Sequence, residues 1–263
     1  MPTFRVTVRL GAIALAAAVI LGPGAAAAGT SPAIPAIPAK GILPPQHPAR
    51  DVSPSPNFFA ARSCQGGGDS ATCNAIIVRA ITHARAVLEK IGGMSFSLAA
   101  YEKLTPIEQL FATANIERVE RGLPPVAVLT RSLDRVAQLG AIANDDPPLS
   151  KVPHTLPGGG HWVSLGGNWA GGFENALGSD YGWMYLDRDS AWGHRDNILG
   201  RYVTAASCGG ARHEIAMGAG HVIPKNKRPY SDSETELFAG ICGPTPTDVV
   251  ITWPRVKTLL HIK

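Results

Sequence analysis

The sequence predicts an α+β fold, with helices packed on a sheet assembled late in the chain. Three observations carry this. Three amphipathic helical segments follow one another between residues 74 and 144, and three apolar strand-like segments follow Glu214. Between the two groups lies a stretch rich in glycine and aromatics that bears acids and histidines on loops.

In residues 74–91, Ile77, Ala80, Ala84, Val87, Leu88 and Ile91 recur at helical spacing, and Gly92-Gly93 ends the run. His83 falls on this helix and reads as a surface residue without a role. Residues 104–122 carry the fullest set of helix signals. Thr105 is placed as N-cap, Pro106 at the first helical position, and Glu108 completes a capping box. Ile107, Leu110, Phe111 and Ala114 form the expected buried stripe, while Glu117, Arg118, Glu120 and Arg121 read as a solvated face. A third helix spans residues 132–144, with Leu133, Val136, Ala137 and Gly140 inward, and Asp145-Asp146-Pro147-Pro148 breaks it. Residues 151–172 read as a loop-rich connection carrying His154 and His161. A short helix is expected at 179–186, a turn at 188–193, and strands at 215–223, 237–241 and 249–253, the first two separated by the charged loop PKNKRPYSDSETE.

The fold does not use all 263 residues. Residues 1–28 read as a secretory signal peptide: Arg5 and Arg9 form a basic start, Leu10 to Leu21 an apolar run, and Ala26-Ala27-Ala28 a small-residue cleavage site. The rival is an uncleaved anchor, but the apolar run falls short of the ~20 residues a span needs. Residues 29–60, rich in Pro, Ala and Ser, read as a disordered linker. Residues 61–103 are expected to be a disulfide-stapled helical extension, and 104–263 the principal domain.

The net charge is +4, and loss of the signal segment with its two arginines leaves +2. So weak a balance argues against nucleic acid or an anionic membrane surface as partner. Cys64, Cys73, Cys208 and Cys242 would enter an oxidising compartment, where disulfides are the default state. The pairing Cys64–Cys73 and Cys208–Cys242 closes the shorter loops. A zinc site is disfavoured because no C-x-x-C spacing occurs.

The chemistry is expected in residues 168–199, which place Glu174, Trp183, Tyr185 and His194 between turn-forming residues, as in a lined groove. The competing reading makes Glu174 and His194 caps or core-satisfying groups. Ser164 and Ser190 lie nearby but lack a G-x-S-x-G turn, so no catalytic nucleophile is assigned.

In order, the chain shows N-x-E-R-x-x-R-G-L-P-P, L-x-x-x-A, a histidine loop, Phe173-Glu174-Asn175-Ala176, an aromatic helix, Gly193-His194-Arg195-Asp196-Asn197-Ile198-Leu199, and G-A-G-H. This series, from about Leu104 to Trp253, resembles the CAP superfamily (SCP-like extracellular domain) in its secreted bacterial form. The resemblance implies an α-β-α sandwich with a central antiparallel sheet. It also implies a cleft of two histidines and two acids that in some members holds a divalent metal. Glu174 and His194 carry over directly. His154, in V-P-H-T-L-P-G, is the nearest match to the first histidine, with His161 second. Asp187 stands nearest the second acid. His154 and His194 would then ligate zinc or another divalent metal, since zinc takes nitrogen and oxygen ligands, and binding would fade below about pH 6 as imidazole protonates. The implied function is a secreted binding module for an apolar ligand, lipid or sterol-like, or for an envelope or extracellular protein. The alternative is a metal-assisted hydrolase using His194 and Glu174 around a metal-bound water.

Overall fold

The computed structural model describes residues 47–65, 68, 70–200, 202–225 and 230–263. The expected signal peptide and the first part of the expected linker, up to residue 46, lie outside the described residues.

Helix α1 (Ala71–Leu88) is capped by Ser70, whose hydroxyl accepts the Cys73 N–H at 3.1 Å. A single turn, α2 (Leu98–Tyr101), leads to α3 (Pro106–Val119). The capping box expected at the start of α3 is present: the Glu108 carboxylate accepts from the Thr105 N–H at 2.9 Å and from its hydroxyl at 2.8 Å. A short strand, β1 (Val128–Thr130), runs directly into α4 (Arg131–Ala143), where the Thr130 hydroxyl serves as cap. Then come β2 (His161–Gly171), α5 (Ala176–Tyr185), α6 (Gly193–Leu199), β3 (His213–Val222), β4 (Ser233–Cys242), β5 (Val249–Thr252) and α7 (Trp253–Leu259).

The five strands form one sheet in the order β2-β4-β3-β1-β5. β4 pairs antiparallel with β2 and β3, and β5 antiparallel with β1, but β1 runs parallel to β3, with Val128 opposite Ala216. The fold is therefore α+β with a mixed sheet, and the expectation of a purely antiparallel sheet is corrected. The strand that changes it is three residues long, too short to register as a period. β2 was also unforeseen, because its glycines read as loop. They serve close approach instead: a Cβ at Gly166 would lie 2.4 Å from the Tyr202 hydroxyl and 2.5 Å from Asn197 Oδ1.

Side chains alternate along the strands and build a core on each face. Leu237, Ala239 and Ile241 of β4 join Leu133, Val136 and Ala137 of α4 on one face. Phe238 of β4 and Met217 and Ala219 of β3 join α1, α3 and α5 on the other, where Ile77, Ile81, Leu110, Phe111, Tyr181 and Tyr185 are fully buried. Because α1 shares this core with α3 and α5, the expected helical extension at 61–103 is part of the main body. The expected linker needs a similar correction. Val52 and Phe58 are buried in the same core, Val52 N–H donates to the Tyr185 carbonyl at 2.9 Å, and the ring of Phe58 meets Tyr181 edge-on at 5.4 Å. Buried Val52 and Phe58, with the backbone bonds of Val52, hold a segment whose composition reads as linker.

Both expected disulfides form, Cys64–Cys73 at the entry to α1 and Cys208–Cys242 across the end of the sheet. They close loops of 9 and 34 residues. By chain entropy, replacing the cysteines with serine should cost about 2.6 kcal/mol for the shorter loop and about 3.8 for the longer. Paired denaturant titrations of the two double mutants check both size and order. No helix of the described residues is long and apolar enough to cross a membrane.

Candidate functional site

The segment between α5 and α6 is built around Asp187. Its carbonyl accepts the N–H of Ser190 at 3.1 Å and of Trp192 at 3.0 Å. Its carboxylate accepts the N–H of His194 at 2.9 Å and of Arg195 at 3.3 Å, which caps the start of α6. The turn between them is strained: Ala191 and Trp192 take left-handed φ values of 53° and 66°, a conformation that persists where neighbours over-determine it.

The same carboxylate holds the imidazole. His194 Nδ1 lies 2.6 Å from Asp187 Oδ1. With Nδ1 protonated toward the carboxylate, Nε2 is left as the second polar atom of the ring. The His194 side chain keeps 13% of its accessible surface, against 3% for Asp187. Burial alone would push the imidazole pKa down. The hydrogen bond and charge of Asp187, with a further contribution from Asp146, outweigh it, and the pKa lies above the ordinary histidine value. Burial pushes the Asp146 carboxyl up, partly countered by His194. In the sequence, Asp146 reads only as part of a helix-breaking run. Its one available signal was the D-D-P-P run, which forces the chain to turn where an acid can point back.

The other expected members are placed differently. His154 stacks on His161 with ring centroids 5.8 Å apart, lies 5.3 Å from the Trp162 ring, and accepts the Trp162 N–H through its carbonyl. The His194 carbonyl, in contrast, accepts from Asn168 Nδ2 at 3.3 Å. Trp162 and Asn168 are opposite Ile241 and Glu236 on β4, which along a strand corresponds to about 17 Å. His154 and His194 therefore bond toward opposite ends of β2, against the expected convergence: residues 161–171 of the connection read as loop form a strand, and His154 lies in the loop before it. Glu174 follows the last residues of β2 at φ 81°, its N–H directed to Asp232 Oδ1 at 3.3 Å. The groups whose charge acts on His194 are Asp187 and Asp146. Asn175 is a cap: its Oδ1 accepts the Gly178 N–H at 3.1 Å and its amide donates to Asn74 Oδ1 at 2.9 Å. Ser164 donates its hydroxyl to the Tyr202 carbonyl.

With His154 elsewhere, His194 is left with carboxylates, and among the described residues no group of three or more His, Cys, Asp and Glu side chains is gathered as a metal site.

Below the site lies a buried ionic network that sequence reading had placed in solvent. Glu117, Arg118 and Arg121 are at most 1% exposed. Arg118 donates Nη1 to the carbonyls of Ile198 at 2.7 Å and Gly200 at 2.8 Å, fastening α3 to the end of α6. Glu117 bonds Arg121 and accepts the Tyr185 hydroxyl at 2.9 Å. Burial alone would raise its pKa, but Arg121 and Arg85 lower it to about 2. Glu89 receives Arg121 Nη2 at 2.5 Å and also bonds Arg195, the residue after His194. α3 packs against α5, α6, α7 and β3, and its residues from Gln109 to Arg118 are all buried. The legible signal was the opposite charges Glu117 and Arg121 one turn apart.

Comparison with protein-family models, with curated proteins and with solved structures finds no match for this chain.

Proposed function

We propose that the chain is an exported binding module of the CAP/SCP-like type, with the His194–Asp187 pair as the polar end of its ligand site. The observation that carries this reading is the 2.6 Å contact between His194 and Asp187 on a part-exposed imidazole. The spatial meeting of the segments that bear the resemblance supports it: Arg118, from N-x-E-R, holds the end of G-H-R-D-N-I-L. The two disulfides fit an oxidising compartment, and export rests on the leader-like residues 1–28.

The charge balance selects the ligand class. Two carboxylates, Asp187 and Asp146, already offset a protonated His194, so an anionic head gains little there. A neutral hydroxyl on an apolar body, as in a sterol-like lipid, is matched by an imidazole nitrogen able to donate or accept. Binding of radiolabelled cholesterol and palmitate to wild type and His194→Ala is the test. Saturable cholesterol binding, weakened at least about tenfold by the substitution, is expected, one lost hydrogen bond to a charge-assisted partner being enough for that. Failure to bind, or equal binding by the variant, removes the reading.

A second reading is favoured by the same pair, since an imidazole oriented by a carboxylate is a general base. Ester and peptide panels with and without chelator decide between them. Turnover abolished by His194→Ala would make the protein a hydrolase, and chelator sensitivity would bring the metal back.

A further inference from the structure

The geometry points to residues 47–52 as a strap that positions the His194–Asp187 pair, with Asp51 and His47 as its two positioning side chains. The inference rests on that pair being the site.

The strap hydrogen-bonds to residues on either side of the pair. Val52 is bound twice at the end of α5: its N–H donates to the Tyr185 carbonyl at 2.9 Å and its carbonyl accepts the Tyr181 hydroxyl at 2.8 Å. Asp51 Oδ1 accepts the Arg188 N–H at 3.0 Å, one residue past Asp187. His47 Nε2 lies 2.8 Å from Asp196 Oδ2, two residues past His194. The four contacts therefore bracket the turn from before Asp187 to after His194.

That turn needs outside support. It contains two consecutive non-glycine residues in left-handed conformation, Ala191 and Trp192, and strain of this kind is retained only where the surroundings over-determine it. The internal bonds of Asp187 supply one set of restraints. The strap supplies a second, anchored by Val52, which is buried in the core shared with α5. Since a hydrogen bond as short as 2.6 Å depends steeply on heavy-atom placement, displacement of Arg188 or Asp196 by a few tenths of an ångström loosens the pair without unfolding the chain.

The inference is tested on the full chain by proton NMR of the imidazole. The Nδ1 proton shared with Asp187 should give a resolved far-downfield signal that Asp187→Asn abolishes, which assigns it. Asp51→Ala and His47→Ala should each speed exchange of that proton with water, by about tenfold or more. Asp51→Asn and His47→Gln, which keep an acceptor and a donor in place, should restore slow exchange. Slow exchange retained in both alanine variants overturns the strap, including the case in which those variants melt earlier, because their contacts would then be structural only. The readout does not involve ligand, so a failure to bind cholesterol leaves this result standing on its own.

Discussion

Glu89→Gln should destabilise the protein by about 3–5 kcal/mol, the cost of removing one partner from a buried ion pair. Glu89 ends α1 and is 1% exposed. It receives Arg121 through Nε at 3.0 Å and Nη2 at 2.5 Å, and it bonds Arg195 Nη2. Arg121 and Arg195 are themselves at most 1% exposed, so neither can turn to water when the carboxylate is lost. Glutamine keeps the shape and one acceptor oxygen but presents an amide donor to a second guanidinium, leaving positive charge uncompensated in the core. At roughly 2–4 °C per kcal/mol for a domain of this size, the melting temperature should fall by about 10 °C. A thermal melt by circular dichroism checks it, and a fall of less than about 3 °C would show that the network is screened by solvent after all. Arg195 follows His194 in α6, so the same variant should also disorder the site, whereas Glu108→Gln in the exposed capping box should cost no more than about 1 kcal/mol.

The helices were legible because their signals are local. Thr105, Pro106 and Glu108 name the start of α3 without reference to anything else in the fold, and Ile77, Ala80 and Ala84 mark the buried face of α1 by period alone. β2 was not legible, since Gly166 and Gly167 answer to Tyr202, Asn197 and Pro147, residues brought against the strand only by the finished fold. The same holds for the charges on α3. Helical position places Glu117 and Arg121 together, but whether a paired face is wet or dry depends on what covers it, and here the cover is α5, α6 and α7. At the site, Asp187 and His194 are seven residues apart and joined by a tight turn, which is why their pairing survived from sequence to structure. His154 lies in the loop just before β2, and its placement relative to His194 is set by the length of that strand, which has no local signature.

Glu236→Gln should stabilise the protein at neutral pH, by about 3 kcal/mol at pH 7. Glu236 lies on the fully buried interior strand β4 and is 1% exposed. Its carboxyl accepts from Asn168 Nδ2 at 3.1 Å. Burial raises its pKa from 4.5 to about 8, the Asn168 hydrogen bond opposing the shift only in part. The carboxyl of Asp180, raised by burial and by the nearby charges of Glu117 and Glu236, offers no positive partner. The sign follows from proton counting. Below pH 4.5 the group is protonated in both states and costs nothing by ionisation. Between 4.5 and about 8 the unfolded chain releases a proton that the folded chain keeps, so stability contributed by the neutral acid is lost as pH rises through this window, at about 1.4 kcal/mol per pH unit. Glutamine does not titrate and places the same carbonyl acceptor before Asn168, so it removes the loss. Urea unfolding of both proteins at pH 4.5 and 7 measures it: the two should agree within about 1 kcal/mol at the lower pH and diverge at the higher. Equal stability at pH 7, or a gain that is the same at both, would show that Glu236 does not stay protonated in the fold. Because Asn168 also bonds the His194 carbonyl, the acid that weakens the sheet at neutral pH is one hydrogen bond removed from the site, and the glutamine variant should keep the far-downfield His194 proton unchanged.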